Sequence, residues 1–395
     1  MNPLVKNRIQ VIDLLRGIIM VVMALDHTRD YFHYSAFTHD PLNLNTTTSI
    51  LFFTRWITHF CAPTFVFLSG LSAWLQRRRK TTKELSKFLI TRGLWLALVD
   101  LVVITFITTA DVHFSYFVMQ TLWAIGISMF VLGFMVHLPY YAILAIGVLI
   151  VFGHNAIDFA ETYYHGNVPF WWHLLHLSEV ADIGFGHHLL IYYPFLPWVG
   201  LMMMGYCCGK LFTSYNEEQR NTLLLRIGVA LLLFFAVLRF SNLYGDKLHW
   251  SVQKNWWYTF LSFINVTKYP PSLLYMCVMI GPGLIFLSLV KNTRNRLARI
   301  FIVYGRVPMF FYILHFFILS CLNVITFLVR GHTLAQGMKG LPGGVPWKFV
   351  VPDEGFSLGV VYAIWFVVVV GLYPACRWYD QYKRSHPQKK WLSYL

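Results

Sequence analysis

Charge is what this chain has least of. Asp, Glu, Lys and Arg together supply 12% of its 395 residues, against 57% for the hydrophobic types, and the mean hydropathy is +0.55. That balance excludes a disordered polypeptide and is too apolar for an ordinary soluble domain. Cysteine is also scarce. Cys61, Cys207, Cys208, Cys277, Cys321 and Cys376 all fall in apolar segments. No disulfide framework is expected and the spacing fits no zinc site; small buried hydrophobes are the plain reading. There is no Walker loop, dinucleotide fingerprint, serine-nucleophile elbow or HExxH motif, which argues against ATPase, dehydrogenase, esterase and metalloprotease chemistry. No repeat of solenoid period, low-complexity tract or sizeable soluble domain is visible.

What is abundant is apolar sequence in runs long enough to cross a bilayer, each about 20 residues. They fall near 9–32, 49–76, 87–110, 115–136, 138–154, 188–213, 223–241, 272–290, 300–329 and 357–378. The expected fold class is therefore all-α: a polytopic integral membrane protein of about ten transmembrane helices, forming one domain over residues 1–395. Charge interrupts the first run and no small-residue cleavage site follows it, so it does not read as a signal peptide. Basic clusters fall on alternate connections: Lys6 and Arg8, Arg77 to Lys80, Lys210 with Arg220 and Arg226, Lys291 to Arg299, and Lys383 to Lys390. The positive-inside rule then places both termini in the cytoplasm. The formal net charge of +15 follows from that topology, and nucleic acid is not an expected partner. The outer connections, near 33–48, 155–187, 242–271 and 330–356, are long and rich in Trp, Tyr, His and Pro.

The first run is also where the exceptions lie. A charge near the bilayer centre costs about 2.5–3.5 kcal/mol on insertion scales, yet this run holds Asp13, Arg16, Asp26, His27, Arg29 and Asp30. Asp13, Arg16, Met20, Met23, His27 and Asp30 recur at steps of three and four and share one helical face. Such a seam must face protein or water, which points to chemistry or transport within the membrane. A carboxylate beside His27, from Asp26 or Asp30, would orient the imidazole as a general base. The bland alternative is a capping and ion-pair cluster. Arg55 and His59 lie one turn apart on the second run, with Thr54 and Thr58 beside them. Arg55 needs an acid, and an antiparallel hairpin brings Asp26 and Asp30 to its depth; a helix–helix ion pair would account for it as well.

The connection before the sixth run collects His154, Asp158, Glu161, His165, His173, His176, Glu179, Asp182, His187 and His188. His173 and His176, three apart, could suit a metal, but no tight ligand motif appears and no metal is expected. Trp171, Trp172, Trp256 and Trp257 could stack on sugar rings, though an interfacial aromatic belt explains such residues too. His315 follows Pro308 in mid-helix, where a buried hydrogen-bonded histidine is the simple reading.

Several stretches together resemble a known family. They are Arg8-Ile9…Ile12-Asp13-Leu14-Leu15-Arg16-Gly17 with Met23-Ala24-Leu25-Asp26-His27-Thr28-Arg29-Asp30-Tyr31-Phe32; Arg55…Thr58-His59-Phe60-Cys61-Ala62-Pro63…Leu68-Ser69-Gly70; Tyr193-Pro194…Pro197-Trp198…Gly205; Thr267-Lys268-Tyr269-Pro270-Pro271-Ser272-Leu273; and Gly305-Arg306-Val307-Pro308…Tyr312…His315. In order along nearly the whole chain, they resemble bacterial membrane proteins with a heparan-α-glucosaminide N-acetyltransferase-like domain. The opening also resembles the wider transmembrane acyltransferase superfamily, where an Arg-Gly pair precedes a functional histidine by about ten residues, the spacing of Arg16-Gly17 and His27.

The resemblance implies a bundle of ten or so helices in the bacterial inner membrane. It implies cytoplasmic acetyl-CoA as donor and an envelope saccharide or glycolipid as acceptor on the far side. His27, Asp26, Asp30, Arg55 and His59 are the expected catalytic group, and Arg16, Arg77 and Arg78 the expected CoA-binding rim. His39, Lys268, His315 and Trp198 are the expected substrate contacts; His39 lies near a functional histidine of the lysosomal member when a gap is allowed. Direct transfer and an acetyl-histidine intermediate stay open, as does a homodimer. The rival function is a proton-coupled secondary transporter, which intramembrane His, Asp and Arg would also suit. A glycan-lipid-binding assembly protein is a third option.

Overall fold

The structure, a computed structural model, describes residues 3–164, 168–290, 293–339 and 346–393. His165, Lys291 and the side chains of Lys6, Arg8 and Lys390 lie outside what it describes. The chain opens with a 30-residue helix, α1 (Pro3–Phe32). A broken pair follows, α2 (Ser49–Thr58) and α3 (Cys61–Gln76). Next come α4 (Thr82–Leu98), a π-helical stretch at Val99–Ile104, and α5 (Thr105–Thr109). After the short strand β1 (Tyr116–Met119) come α6 (Thr121–Met135), α7 (Tyr140–Gly153), α8 (Ala156–Tyr163) and α9 (Phe170–Leu175). Strands β2 (Val180–Gly184) and β3 (His187–Ile191) lead into α10 (Leu196–Cys208) and α11 (Leu211–Ser214). The rest is helical: α12 (Glu217–Ser241), α13 (Trp256–Ile264), α14 (Leu273–Leu289), α15 (Arg296–Arg306), α16 (Pro308–Val329), α17 (Leu334–Lys339) and α18 (Leu358–Ser385).

Local chemistry sets the helix starts. Thr81 and Glu84 exchange side-chain and backbone bonds in a capping box at α4, and Asn216 with Gln219 does the same at α12. Ser272 accepts from the Tyr275 amide to start α14. Pro308, with its fixed φ and missing N–H, opens α16. Asp100 acts at a distance: its Oδ2 accepts from the Gln120 and Trp123 amides, both at 2.8 Å, and so caps α6 from the π-helical stretch.

The protein is a mostly helical membrane protein, but not the ten plain spans expected. Among the described residues, five stretches are long and apolar enough to cross: 49–76, 82–109, 217–241, 308–329 and 358–385. The pair α7 and α8, bent by 45°, makes a sixth if it is one crossing. Helices α6 and α14 are apolar but short, and α1 carries its charged seam. Nor is the fold purely α. The apolar stretches expected to be helical from 115 and from 188 begin as strands, and β1, β3 and β2 form a sheet in that order, β1 parallel and β2 antiparallel to β3. The expected single helix over 300–329 is two, broken at Val307.

Packing follows the small-residue logic of membrane bundles, in which close backbone approach replaces the hydrophobic drive. A Cβ on Gly17 would meet the Phe301 carbonyl at 1.8 Å, and one on Gly305 would meet the Asp13 carbonyl at 1.9 Å, so α1 and α15 touch backbone to backbone. The pairs Gly70 and Gly205 (α3 and α10), Gly93 and Gly126 (α4 and α6), and Gly228 and Gly281 (α12 and α14) repeat the device. All six cysteines are free. In the connections, Asp111 is buried, which alone would raise its pKa, but bonds from Lys348, Ser115 and His113 hold it down at about 2.

Candidate functional site

The polar seam of α1 splits into two centres. In the first half of the helix, Arg16 donates to Asp13 (3.2 Å), to the Gly305 carbonyl (3.0 Å) and to the Ser72 hydroxyl (3.0 Å). Arg306 lies 3.6 Å from Asp13 and 3.7 Å from Asp380, which Arg384 also holds at 2.6 Å. Arg16 is therefore tied to α3 and α15. Arg77 donates to the Tyr206 hydroxyl (3.1 Å) and stands over the Trp74 ring, and Arg77, Arg78 and Arg79 are exposed at the end of α3.

The second centre lies a few turns on. Arg29 pairs with Asp26 at 3.0 Å and Asp30 at 2.5 Å. Arg55 on α2 takes the other Asp26 oxygen at 2.5 Å. The matched depth of the two helices, expected from the antiparallel hairpin, is thus seen directly, with Asp26 rather than Asp30 as the acid. The expected carboxylate partner of His27 is not. Arg29, three residues after Asp26 and one before Asp30, draws both carboxylates to itself. His27 instead meets a residue 288 positions away: its Nδ1 lies 2.7 Å from Nε2 of His315 on α16. Phe316 stacks on the His27 ring with centroids 4.0 Å apart, and Tyr312 packs edge-on.

The His315 pairing fixes a tautomer chain. Nδ1 of His315 lies 2.9 Å from the Phe311 carbonyl, which can only accept. Nδ1 of His315 therefore carries a hydrogen, and in a neutral ring its Nε2 accepts. His27 must then donate through Nδ1, which leaves its Nε2 with a free lone pair. No residue among those described bonds to that nitrogen.

His59 caps the break between α2 and α3 and is 1% exposed, with neither ring nitrogen partnered among the described residues. Tyr275 packs edge-on to its ring and donates to its carbonyl at 2.8 Å. Trp198 is wholly buried with its indole N–H unpartnered, against Tyr193, which in turn packs on Tyr269. Lys268 is 7% exposed, on the turn between α13 and α14 that contains the cis Tyr269–Pro270 peptide. That turn is clamped from outside the site. Arg239 donates to the carbonyls of Phe263, Leu248, Ser262 and Asn265, and Asp246 accepts from the Thr267 amide and hydroxyl and the Ser272 hydroxyl. The clamp escaped sequence reading; an arginine after the apolar run 227–238 was its signal. His39 stands apart, exposed in the connection after α1. A groove of about 370 Å³ between α1, α2 and α18, lined by Leu25, Ile50, Phe53 and Ile57, ends on the Thr54 and Tyr362 hydroxyls, 2.5 Å apart.

The outer histidines resolve into separate pairs. His173 meets Glu179 (3.3 Å) and His176 meets Glu161 (2.8 Å), so the two share no ligand position. Asp158, Glu161 and His176 do converge within 4.8 Å, but the Lys247 ammonium stands among them, 3.1 Å from Asp158 and 2.9 Å from Glu161. A built-in cation already answers those carboxylates. Trp172 and Trp257 are anchored through their N–H groups to Glu161 and Ser49, whereas Trp171 and Trp256 are exposed.

No curated protein matches the chain significantly. Residues 8–240, well over half of it, match the family described as heparan-alpha-glucosaminide N-acetyltransferase, catalytic. The matched part spans α1, the Arg55–His59 turn, Trp198 and Arg239, while Lys268 and His315 complete the site from beyond it. This match shows that the chain belongs to the heparan-α-glucosaminide N-acetyltransferase family, a family of membrane acetyltransferases.

Proposed function

We propose that this protein moves an acetyl group from cytoplasmic acetyl-CoA to a hydroxyl or amine of an envelope saccharide or glycolipid on the outer side of the bacterial inner membrane. The observation that carries this reading is the His27–His315 pair, set in the polar seam of a chain from an acetyltransferase family. Nε2 of His27, left as a free base by the tautomer chain, takes the proton from the acceptor as its oxygen or nitrogen attacks the thioester carbonyl. Arg55, fixed by Asp26, and His59 donate to the oxyanion that develops. When the C–S bond breaks, His27 returns the proton to the departing CoA thiolate, so proton and acyl group balance over one turnover. His315 positions His27 and shares the charge of the imidazolium. The exposed Arg77, Arg78 and Arg79 attract the CoA phosphates, with Arg16 holding the seam together behind them. The groove between α1, α2 and α18 gives a membrane-borne acceptor a lateral way in.

The test is CoA release by the purified protein with acetyl-CoA and a panel of envelope sugars and glycolipids. His27→Ala should lower turnover about 10²–10⁴-fold while staying monodisperse, and His315→Ala should lower it less. Near-normal turnover in His27→Ala would remove the base assignment. Absence of release with every acceptor tried would favour the transporter instead.

A further inference from the structure

The second centre does not balance its charge. Three cations, Arg29, Arg55 and Lys268, act on two carboxylates, Asp26 and Asp30. Asp26 is taken by Arg29 and Arg55, and Asp30 by Arg29. Asp246, the acid nearest Lys268 along the chain, is filled by the Thr267 and Ser272 groups. The two histidines bond to each other in the pattern of neutral rings. Among the described residues the Lys268 ammonium has no ion pair and no hydrogen bond; it has only the face of Tyr269, 5.1 Å away. A long flexible side chain 7% exposed and left so is unusual, because burying an uncompensated charge is costly.

Lys268 is not alone in lacking partners. Both nitrogens of His59, the Trp198 N–H and the Tyr312 hydroxyl are buried and unpartnered. Tyr193 joins Trp198 to Tyr269 beside Lys268, Tyr275 packs on His59 and His27 on Tyr312, and the Lys268 charge acts on both His59 and His27. Orphaned polar groups brought together by four separate elements point to a polar ligand. The surplus positive charge states its sign.

We propose that Lys268 is an anion-binding residue and that the acceptor carries a fixed negative charge, a carboxylate or a phosphate, close to the group that is acetylated. This deepens the acyltransferase reading and rests on it for the word acceptor, but the anion subsite itself does not. The Arg239 and Asp246 clamp fixes the backbone on either side of Lys268 before any ligand arrives, so on binding only its side chain is left to order.

The experiment is thermal unfolding of the purified full-length protein with inorganic phosphate, glucuronate or glucose at matched ionic strength. Phosphate or glucuronate should raise the midpoint saturably and glucose should not. Lys268→Met should melt higher than wild type without ligand, since it removes an uncompensated charge, and should lose the anion response. Lys268→Arg should keep that response. A lower midpoint for Lys268→Met with the anion response intact would overturn the proposal, as would a wild type that responds to neither anion. If Lys268→Met does not fold, the wild-type titration and Lys268→Arg decide alone. A protein that binds anions through Lys268 yet never releases CoA would keep this site and refute the transferase reading. One that releases CoA but ignores both anions would do the reverse.

Discussion

At the scale of single residues, the centre is governed by who reaches Asp26. Its side chain is 9% exposed and shared by two guanidinium groups, from Arg29 on the same helix and Arg55 on the next. Breaking a buried pair from one side strands a charge, at about 3–5 kcal/mol. Arg55→Gln should fall toward the low end of that range, because Arg29 still compensates Asp26. The double variant Asp26→Asn with Arg55→Gln should recover part of the loss, giving a coupling energy that unfolding in detergent can measure. Strict additivity of the two single losses would show that the pair is not energetically real. The sequence announced this cluster by spacing: His27 and Asp30 share a face, Asp26 lies next to His27, and Arg55 needed an acid at matching depth. Spacing could not say that Arg29 would intercept both carboxylates, nor that His27 would close on His315. The second contact is made across 288 positions, by packing that no local periodicity encodes.

Among elements, the glycine crossings set how near α1 lies to α15, and so whether Asp13, Arg16 and Arg306 can meet. A methyl group at Gly305 would overlap the Asp13 carbonyl at 1.9 Å, and backbone cannot step aside as a side chain can. Gly305→Ala should therefore cut the yield of monodisperse protein and lower its melting point. Gly283→Ala, with nothing within 4 Å of the added carbon, should be neutral or gain about 0.5–1 kcal/mol from helix entropy. Equal behaviour of the two would mean that the crossing is looser than described. Existence of the long apolar elements was legible in hydropathy; their internal breaks were not. The run from Ser49 to Gln76 is interrupted at His59 and Phe60, and the run through 300–329 at Val307. Strand β1 and the Leu189–Ile191 end of β3 are apolar like the helices they adjoin, and the two strands lie about 70 residues apart in sequence. A short hydrophobic run reads alike in either conformation, so only the distant pairing decides.

For the whole molecule, the question is which end faces the cytoplasm. Arg16 bonds to Ser72 and Gly305, and Arg306 reaches Asp13 and Asp380. These contacts place the first half of α1, the last turns of α3, the α15–α16 junction and the last turns of α18 toward one end of the bundle. Arg77, Arg78, Arg79 and Lys80 follow α3 there, and Lys383 and Arg384 close α18 at the same level. The basic residues that follow α3 and those that close α18 thus gather in space, and the positive-inside rule predicts that an end so enriched in Lys and Arg faces the cytoplasm. The His27–His315 and Asp26–Arg55 contacts lie toward the other end. In the proposed reaction, a cytoplasmic donor would extend its acyl arm inward along the α1 seam to reach Nε2 of His27, while the acceptor would approach from outside. Reporter fusions after Lys80 and after Lys390 should both read cytoplasmic, and a fusion within 33–48 should read external. An external signal at Lys80 or Lys390 would invert the bundle, put the basic rim where no acetyl-CoA exists, and remove the donor path on which the proposed reaction depends.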